Sequence, residues 1–246
     1  MTPNEFIDCL GLPATARVDR VVPKKLLVEN GSPTPADRKA INTGIDKIHW
    51  LAALKPSGIG VPEYRNETHQ YIEIAIVAMM LRAEAKLVRL TQLLHRAIPY
   101  PVLLVVQAES SLEISVAEKR LSERQADKTV LEAGVTAATL PSDNEVLDAF
   151  ALASQPKTNL QALYQGWRSV IEAIQASAIS GRFEILREPK ATDIRREAIE
   201  QHDALLSEID RLSALATKER QVAGRVDLNL QIKRLQTELQ QAKQQL

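Results

Sequence analysis

The central third of the chain alternates between patterns typical of strand, helix and strand. In QYIEIAIVAMML, isoleucine occupies every second position at Ile72, Ile74 and Ile76, which is the period of a β-strand. Residues 83–97 carry leucines three and four positions apart, which predicts an amphipathic helix. The following PVLLVV has no polar alternation, as expected of a strand covered on both faces. Residues 70–106 therefore predict two parallel strands joined by a right-handed helical crossover.

A proline-rich corner, IPYP, joins the predicted helix to the second of these strands. Pro99 disfavours helical backbone at Ile98, so the helix is expected to end there. Pro101 keeps Tyr100 extended and takes the first position of the strand, where a missing N–H does least harm. We interpret the stretch as a structural corner rather than as a catalytic loop.

Shorter patterns on both sides enlarge this unit. ARVDRVV, DKIHWLAALKP and LEISVA are typical of strands, and Thr34 followed by Pro35 is a good helix start. Six of the nine glycines and nine of the twelve prolines precede residue 141, so turns concentrate in this part. The pattern predicts an α+β fold, with an N-terminal mixed β-sheet domain with helices over residues 1–140.

Beyond residue 140 the chain is rich in helix-forming residues, and the pattern predicts only helices. We expect a helical connector over residues 141–190, in which Ser142 or Asp143 caps a first helix and Gly181 ends a second. Residues 191–246 predict one long amphipathic, coiled-coil-like helix.

The apolar residues of this last helix repeat at alternating spacings of three and four, and the repeat changes phase once. Positions in the first phase include Leu205, Ile209, Leu212, Val226 and Leu230, and positions in the second include Ile232, Leu235 and Leu239. The phase changes between Val226 and Leu228, beside Gly224, where we expect a stutter or a bend. A helix cannot bury such a seam alone, so it needs a second copy, the preceding helix or another protein.

Composition and charge narrow the classes without identifying one. Lys and Arg total 31, as do Asp and Glu, so the net charge is zero and gives no global attraction to nucleic acid. Cys9 is the only cysteine, which fits a reducing compartment. The N-terminal stretch lacks the pattern of a signal peptide, and no apolar run approaches the ~20 residues of a membrane span. We expect a cytoplasmic protein.

Motifs for catalysis, cofactors and metals are missing from the sequence. There is no glycine-rich phosphate-binding loop, no G-x-S-x-G and no pair of His or Cys residues at ligand spacing. We therefore predict no cofactor and no metal. A divergent metal-dependent nuclease using Glu73 stays open as an alternative, although no acid-x-Lys pair follows on a strand. We expect Glu73 and Glu113 to face water on half-covered strands.

Two basic clusters are candidates for contact with nucleic-acid phosphates. They contain Lys24 and Lys25 near the start, and Lys119, Arg120 and Arg124 after the last predicted strand pair. Acidic residues are interspersed in both clusters, which favours a solvated surface of mixed charge. A DNA-binding module using these residues is a further alternative.

Several stretches together resemble an uncharacterised bacterial family, domain of unknown function 4391. They are LGLP with VPKKLL, ADRKAI with WLAALKP, IPYPVLLVV, SVAEKR and DLNLQIKRLQTEL, in this order over nearly the whole chain. Members of this family tend to be encoded beside helicase-like ATPases and DNA methyltransferases, in loci that look like restriction or phage-defence systems. The resemblance implies an accessory role around DNA-processing machines, and it transfers no catalytic residue.

Together these observations favour a non-enzymatic accessory or assembly subunit of a bacterial DNA-processing system. Its C-terminal helix is expected to bind a protein partner, either itself or a helicase-like ATPase or DNA methyltransferase. Direct contact with DNA is an open possibility, and no membrane partner is expected.

Overall fold

Helices and strands are interspersed up to residue 139, and the elements described after it are all helices. The computed structural model describes residues 1–31, 33–123, 129–132, 134–243 and 246. The helices are α1 (Pro3–Cys9), α2 (Lys25–Asn30), α3 (Pro35–Gly44), α4 (Pro56–Ile59), α5 (Leu87–Ala97), α6 (Asn144–Phe150), α7 (Leu160–Ser180), α8 (Pro189–Lys218) and α9 (Val222–Lys243). The strands are β1 (Arg17–Val21), β2 (Ile45–Leu54), β3 (Tyr64–Arg65), β4 (Gln70–Tyr71), β5 (Ile74–Leu81), β6 (Val102–Ala108), β7 (Ser111–Val116), β8 (Lys119–Leu121), β9 (Thr129–Leu131) and β10 (Thr136–Thr139).

Six strands form one mixed sheet in the order β1-β2-β5-β6-β7-β10. Strands β5 and β6 are parallel and are joined through α5, whereas the other neighbouring pairs of this sheet are antiparallel. The strand–helix–strand unit and the α+β class predicted from the sequence are therefore confirmed.

The two central strands are buried on both faces, as the unbroken apolar run of β6 predicts. Side chains of α2, α3 and α5 form one core against the sheet, with Leu27, Ile41 and Leu94 fully buried. Helices α1, α6 and the first half of α7 carry a further set of buried side chains. In that set the rings of Phe6 and Phe150 meet edge to face at 5.3 Å.

Helix α5 begins at Leu87, four residues later than the pattern predicts. Glu84 has φ of +61°, outside the right-handed helical region, so the preceding residues form a turn instead. The start of α3 is confirmed, since Thr34 and Asp37 form a capping box before and within its first turn. Asp37 also accepts two hydrogen bonds of 2.8 Å from Arg89, which tie α3 to α5.

The prediction of one continuous C-terminal helix is wrong, because the chain breaks at residues 219–221 and α9 folds back along α8. Glu219 has extended backbone and ends α8, and its carboxylate accepts the N–H of Gln221 at 2.7 Å. Gly224 lies inside α9, three residues after this break. A Cβ at Gly224 would come within 3.2 Å of the Glu219 side chain, so glycine leaves room for this capping group. Residues 219–221 contain neither Gly nor Pro, which explains why the sequence does not signal the break.

The chain divides into two units, Met1–Ile171 and Glu172–Leu246, and the division falls within α7. The first unit holds the sheet, and the second holds the hairpin of α8 and α9. The predicted boundaries at residues 140 and 190 stay a prediction. Within the described part of the chain, every helix is too short or too polar to cross a membrane.

Candidate functional site

A buried lysine holds the corner between α5 and β6. Lys119, the first residue of β8, is 5% exposed, and its ammonium donates hydrogen bonds to the carbonyls of Ile98, at 2.6 Å, and of Tyr100. Both carbonyls belong to the segment between the end of α5 and the start of β6. Burial lowers the pKa of Lys119 to about 7, because a charge is costly to remove from water. The corner is thus a structural element, as the sequence indicates, but a cation fixes it.

A buried histidine and serine lie next to this corner. The Nε2 of His95 on α5 is 3.0 Å from the hydroxyl of Ser115 on β7, and neither residue is exposed. Burial, together with the charge of Lys119, lowers the pKa of His95 well below its ordinary value. A serine and a histidine at this distance resemble a nucleophile and its base. Because both are sealed in the core, the pair acts here as a polar link between α5 and β7.

Tyr164 on α7 binds the first residue of β6 and the residue after β7. Its hydroxyl donates to the carbonyl of Val102 at 2.9 Å and accepts the N–H of Ala117 at 2.9 Å. Burial raises the pKa of Tyr164, so the phenol stays neutral. Glu118, beside Lys119, bonds to Gln165 and Arg168 on the same helix. The region around the corner is therefore polar, and these groups bind one another, although the buried Nδ1 of His95 has no hydrogen-bond partner among the described residues.

A cavity of about 270 Å³ lies beside the corner. The sheet residues Ile48, Trp50 and Val77 form part of its lining, together with residues of α2 and the segment Ile98–Tyr100. Its lining is almost wholly apolar, unlike the polar region around Lys119.

The first and second phases of the C-terminal seam meet within the hairpin. On α8, Leu205 and Leu212 are buried and Ile209 is half-buried. On α9, Ile232, Leu235 and Leu239 are half-buried. The sequence left three partners open for the seam: a second copy, the preceding helix or another protein. For this part of the seam, the partner is the preceding helix of the same chain.

Val226 and Leu230 of the first phase lie on the uncovered side of α9, in line with Val222, which the seam predicted from the sequence does not include. Val222, Val226 and Leu230 are 67%, 50% and 53% exposed, and we call these three residues the outer row. Val226 and Leu228 are two residues apart, which places them about 160° apart around a helix of 3.6 residues per turn. Helix α9 is thus apolar on two opposite faces, and the change of phase in the sequence marks the change of face.

The described basic residues proposed for nucleic acid each have a partner within the chain. Lys24 donates to the carbonyl of Ile45, Lys25 pairs with Glu29 at 3.1 Å, and Arg120 pairs with Glu123 at 2.9 Å. Burial keeps the ammonium of Lys119 from the surface, and Arg124 lies outside the described residues. Contact with DNA through these residues stays a prediction.

The expectation that Glu73 faces water is wrong. Glu73 is 9% exposed, and its carboxylate lies 3.3 Å from the ammonium of Lys55. Glu113 is half-buried, and burial raises its pKa. The described residues hold no group of three His, Cys, Asp or Glu side chains able to bind a metal ion.

Sequence reasoning missed the roles of Lys119 and of the cavity. A single basic residue in the segment EKRLSER has no pattern that separates a buried ammonium from a solvated one. The cavity is lined from β2, α2, β5 and the corner, which are far apart in sequence. The outer row, by contrast, carries a signal in the four-residue spacing of its apolar side chains.

Comparison with known proteins gives one match. The family model described as domain of unknown function (DUF4391) matches residues 10–239. No curated protein and no solved structure matches the chain.

Proposed function

Because the chain belongs to the DUF4391 family, as its sequence predicts, we propose that it is a non-enzymatic accessory or assembly subunit. It binds a protein partner through its C-terminal helical hairpin. The system proposed for it is a bacterial restriction-like or phage-defence-like DNA-processing machine, and its partner is a helicase-like ATPase, a DNA methyltransferase or a second copy. This setting follows from the family resemblance.

The observation that carries the proposal is the outer row of α9. Single apolar side chains on a surface are ordinary. Here Val222, Val226 and Leu230 occupy three successive turns of one helix, on the face opposite to the one that packs against α8. Fully burying a Val or Leu side chain is worth about 1.5–3 kcal/mol, so the row offers a partner a useful apolar contact.

The surroundings of the row favour a helix as its partner. Arg225 and Asp227 flank Val226 on either side, and Lys233 follows Leu230 along the same face. A narrow apolar line between charges of both signs suits an amphipathic helix, whose own charged flanks meet them. Charges at such a rim select the partner more than they strengthen the complex.

The proposal is tested by placing a charge in the middle of the row. Wild type, Val226→Glu and Val88→Glu are mixed in turn with the products of the neighbouring genes, a helicase-like ATPase or a DNA methyltransferase in this proposal, and binding is measured by co-purification and light scattering. Val88 is 67% exposed on α5, outside the row, and serves as the control. We expect binding or self-association to weaken at least tenfold in Val226→Glu alone, as for a central residue of an interface. A wild-type chain that stays monomeric and binds neither product contradicts the proposal.

A nuclease is the second candidate, and one observation favours it. Glu73 and Lys55 place a carboxylate and an ammonium 3.3 Å apart, at the ends of the adjacent strands β5 and β2. An acid and a lysine in contact are part of what a metal-dependent nuclease needs. Incubation of the purified chain with DNA and Mg²⁺ or Mn²⁺ tests this candidate. Cleavage that disappears in Glu73→Gln would favour the nuclease over the accessory subunit.

A further inference from the structure

We propose that the cavity beside the Ile98–Tyr100 corner is a binding site for a small, uncharged and mostly hydrocarbon ligand, of the size of a two-ring aromatic molecule. This site lies in the first unit and is independent of the partner surface on α9.

The cavity borders the core between the sheet and its helices. Leu27, Ile48, Ala75, Val77 and Ala97 line it, and all five are buried members of the core between the sheet and its helices. Protein interiors are normally packed as densely as organic crystals. An opening of this size beside that core presents an apolar surface, and an apolar occupant would gain dispersion contacts with it.

The lining of the cavity is uncharged. Among the described residues that form it there is no Asp, Glu, Lys, Arg or His. Trp50 donates its indole N–H to the carbonyl of Ala52 at 2.8 Å, so this polar group already has an acceptor outside the cavity. A charged group inside this lining would lose water and gain no partner, which excludes it from the ligand's buried part.

The volume of the cavity limits the size of the ligand. The cavity measures about 270 Å³. Apolar protein cavities of about 150 Å³ bind benzene, so a larger one suits a fused pair of rings. Asn30 and Tyr100 contribute the polar groups of the lining, which allows the ligand one hydrogen-bonding substituent at its outer end.

The cavity is accessible to a ligand from solvent. Leu26, on α2, lines the cavity and is also 43% exposed, so it stands where the cavity meets solvent. The Ile98–Tyr100 segment forms the opposite part of the lining and is held in place by Lys119. The walls of the site are thus preformed, which reduces the cost of binding.

Indole is a suitable probe, and the two tryptophans report on it. In ¹⁵N-labelled full-length protein, we expect indole to shift the side-chain N–H resonance of Trp50 in a saturable manner. Trp167 is fully buried elsewhere and bonds to the carbonyl of Phe150, so its resonance should stay in place. Its unchanged position also confirms that each variant is folded.

Blocking the mouth separates this site from non-specific binding. We expect Leu26→Trp and Asn30→Trp, two rim variants, to bind indole at least tenfold more weakly. Val88→Trp, a change on an exposed position of α5 outside the cavity, should bind it as the wild type does. The inference is overturned if the Trp50 resonance does not shift at millimolar indole, if its shift does not saturate, or if both rim variants bind as tightly as the wild type.

Discussion

The ammonium of Lys119 is almost completely removed from water, and its lowered pKa makes the free energy of unfolding depend on pH. Its pKa is about 7 in the folded protein and 10.5 when the side chain is free in water. Between these values the unfolded chain binds a proton that the folded chain has released. The free energy of unfolding therefore increases as the pH rises through this window, and below it the folded protein bears the full cost of the buried charge.

We expect Lys119→Met to remove this dependence on pH. The slope contributed by one such group approaches about 1.4 kcal/mol per pH unit. The wild type should therefore gain on the order of 2 kcal/mol relative to the variant between pH 7 and pH 9. Urea unfolding at pH 7, 8 and 9 measures the difference, with Lys39→Met as an exposed control. Parallel curves for wild type and Lys119→Met would show that Lys119 stays charged throughout.

Asp37 shows the opposite behaviour at low pH. Hydrogen bonds from Arg89, and then the backbone N–H of Thr34, hold the pKa of this carboxyl well below its usual range. Its stabilising contribution is complete above the pKa of an unfolded Asp, near 3.9, and is lost as the pH falls further. We expect Asp37→Asn to lower the melting temperature at pH 7 and to lose this difference towards pH 2. Thermal unfolding from pH 2 to pH 7 checks the convergence, and a constant difference contradicts it.

Individual residues were predictable only where local sequence decides their role. Thr34, Pro35 and Asp37 form a helix start within four positions, so the sequence suffices. Glu73 was expected to face water because its neighbours alternate as in a half-covered strand, and Lys119 because acidic residues are interspersed among the basic residues around it. Their burial depends on α5, α7 and the IPYP corner, which no local pattern describes.

At the scale of elements, α8 and α9 show how one stripe serves two purposes. The spacing of the apolar residues correctly indicates helices and a change of phase. What it leaves undetermined is the partner of each phase, because α8, α9 and a foreign helix would satisfy the same spacing. The turn at residues 219–221 decides this, and its cap comes from an ordinary glutamate.

The hairpin predicts different costs for two leucines of one helix. Leu212 is buried on α8, whereas Leu206 is 39% exposed. We expect Leu212→Ala to destabilise the hairpin by about 2–3 kcal/mol, through lost apolar contact and the space left behind. Leu206→Ala should cost less than about 1 kcal/mol, as is usual for surface positions. Hydrogen exchange of α8 and α9 amides measures both, and equal losses of protection would contradict the assigned faces.

For the whole molecule, the division into two units has a thermodynamic consequence. Each unit has its own buried residues, for example Val105 in the first and Leu212 in the second. We expect calorimetry to resolve two transitions. Val105→Ala should lower one midpoint and Leu212→Ala the other, by several degrees each. One transition that both variants shift equally would mean that the units unfold together.

The fold class was predictable because strand and helix patterns alternate over residues 70–106, whereas only helix patterns follow residue 140. The cavity was not, because its lining joins β2, α2, β5 and the corner, whose mutual placement only the folded chain defines. The outer row lies between these cases. Val226 and Leu230 were predicted as part of a seam, whereas Val222 was not, and the structure adds that all three remain uncovered.

The outer row also bears on how long the chain would survive in a cell. Chaperones and proteases act on chains that expose apolar surface, so a subunit waiting for its partner is vulnerable to removal. A partner that covers Val226 would hide that surface and lengthen the lifetime of the chain. The cellular amount of this protein would then follow the amount of its partner, and unmatched copies would be cleared.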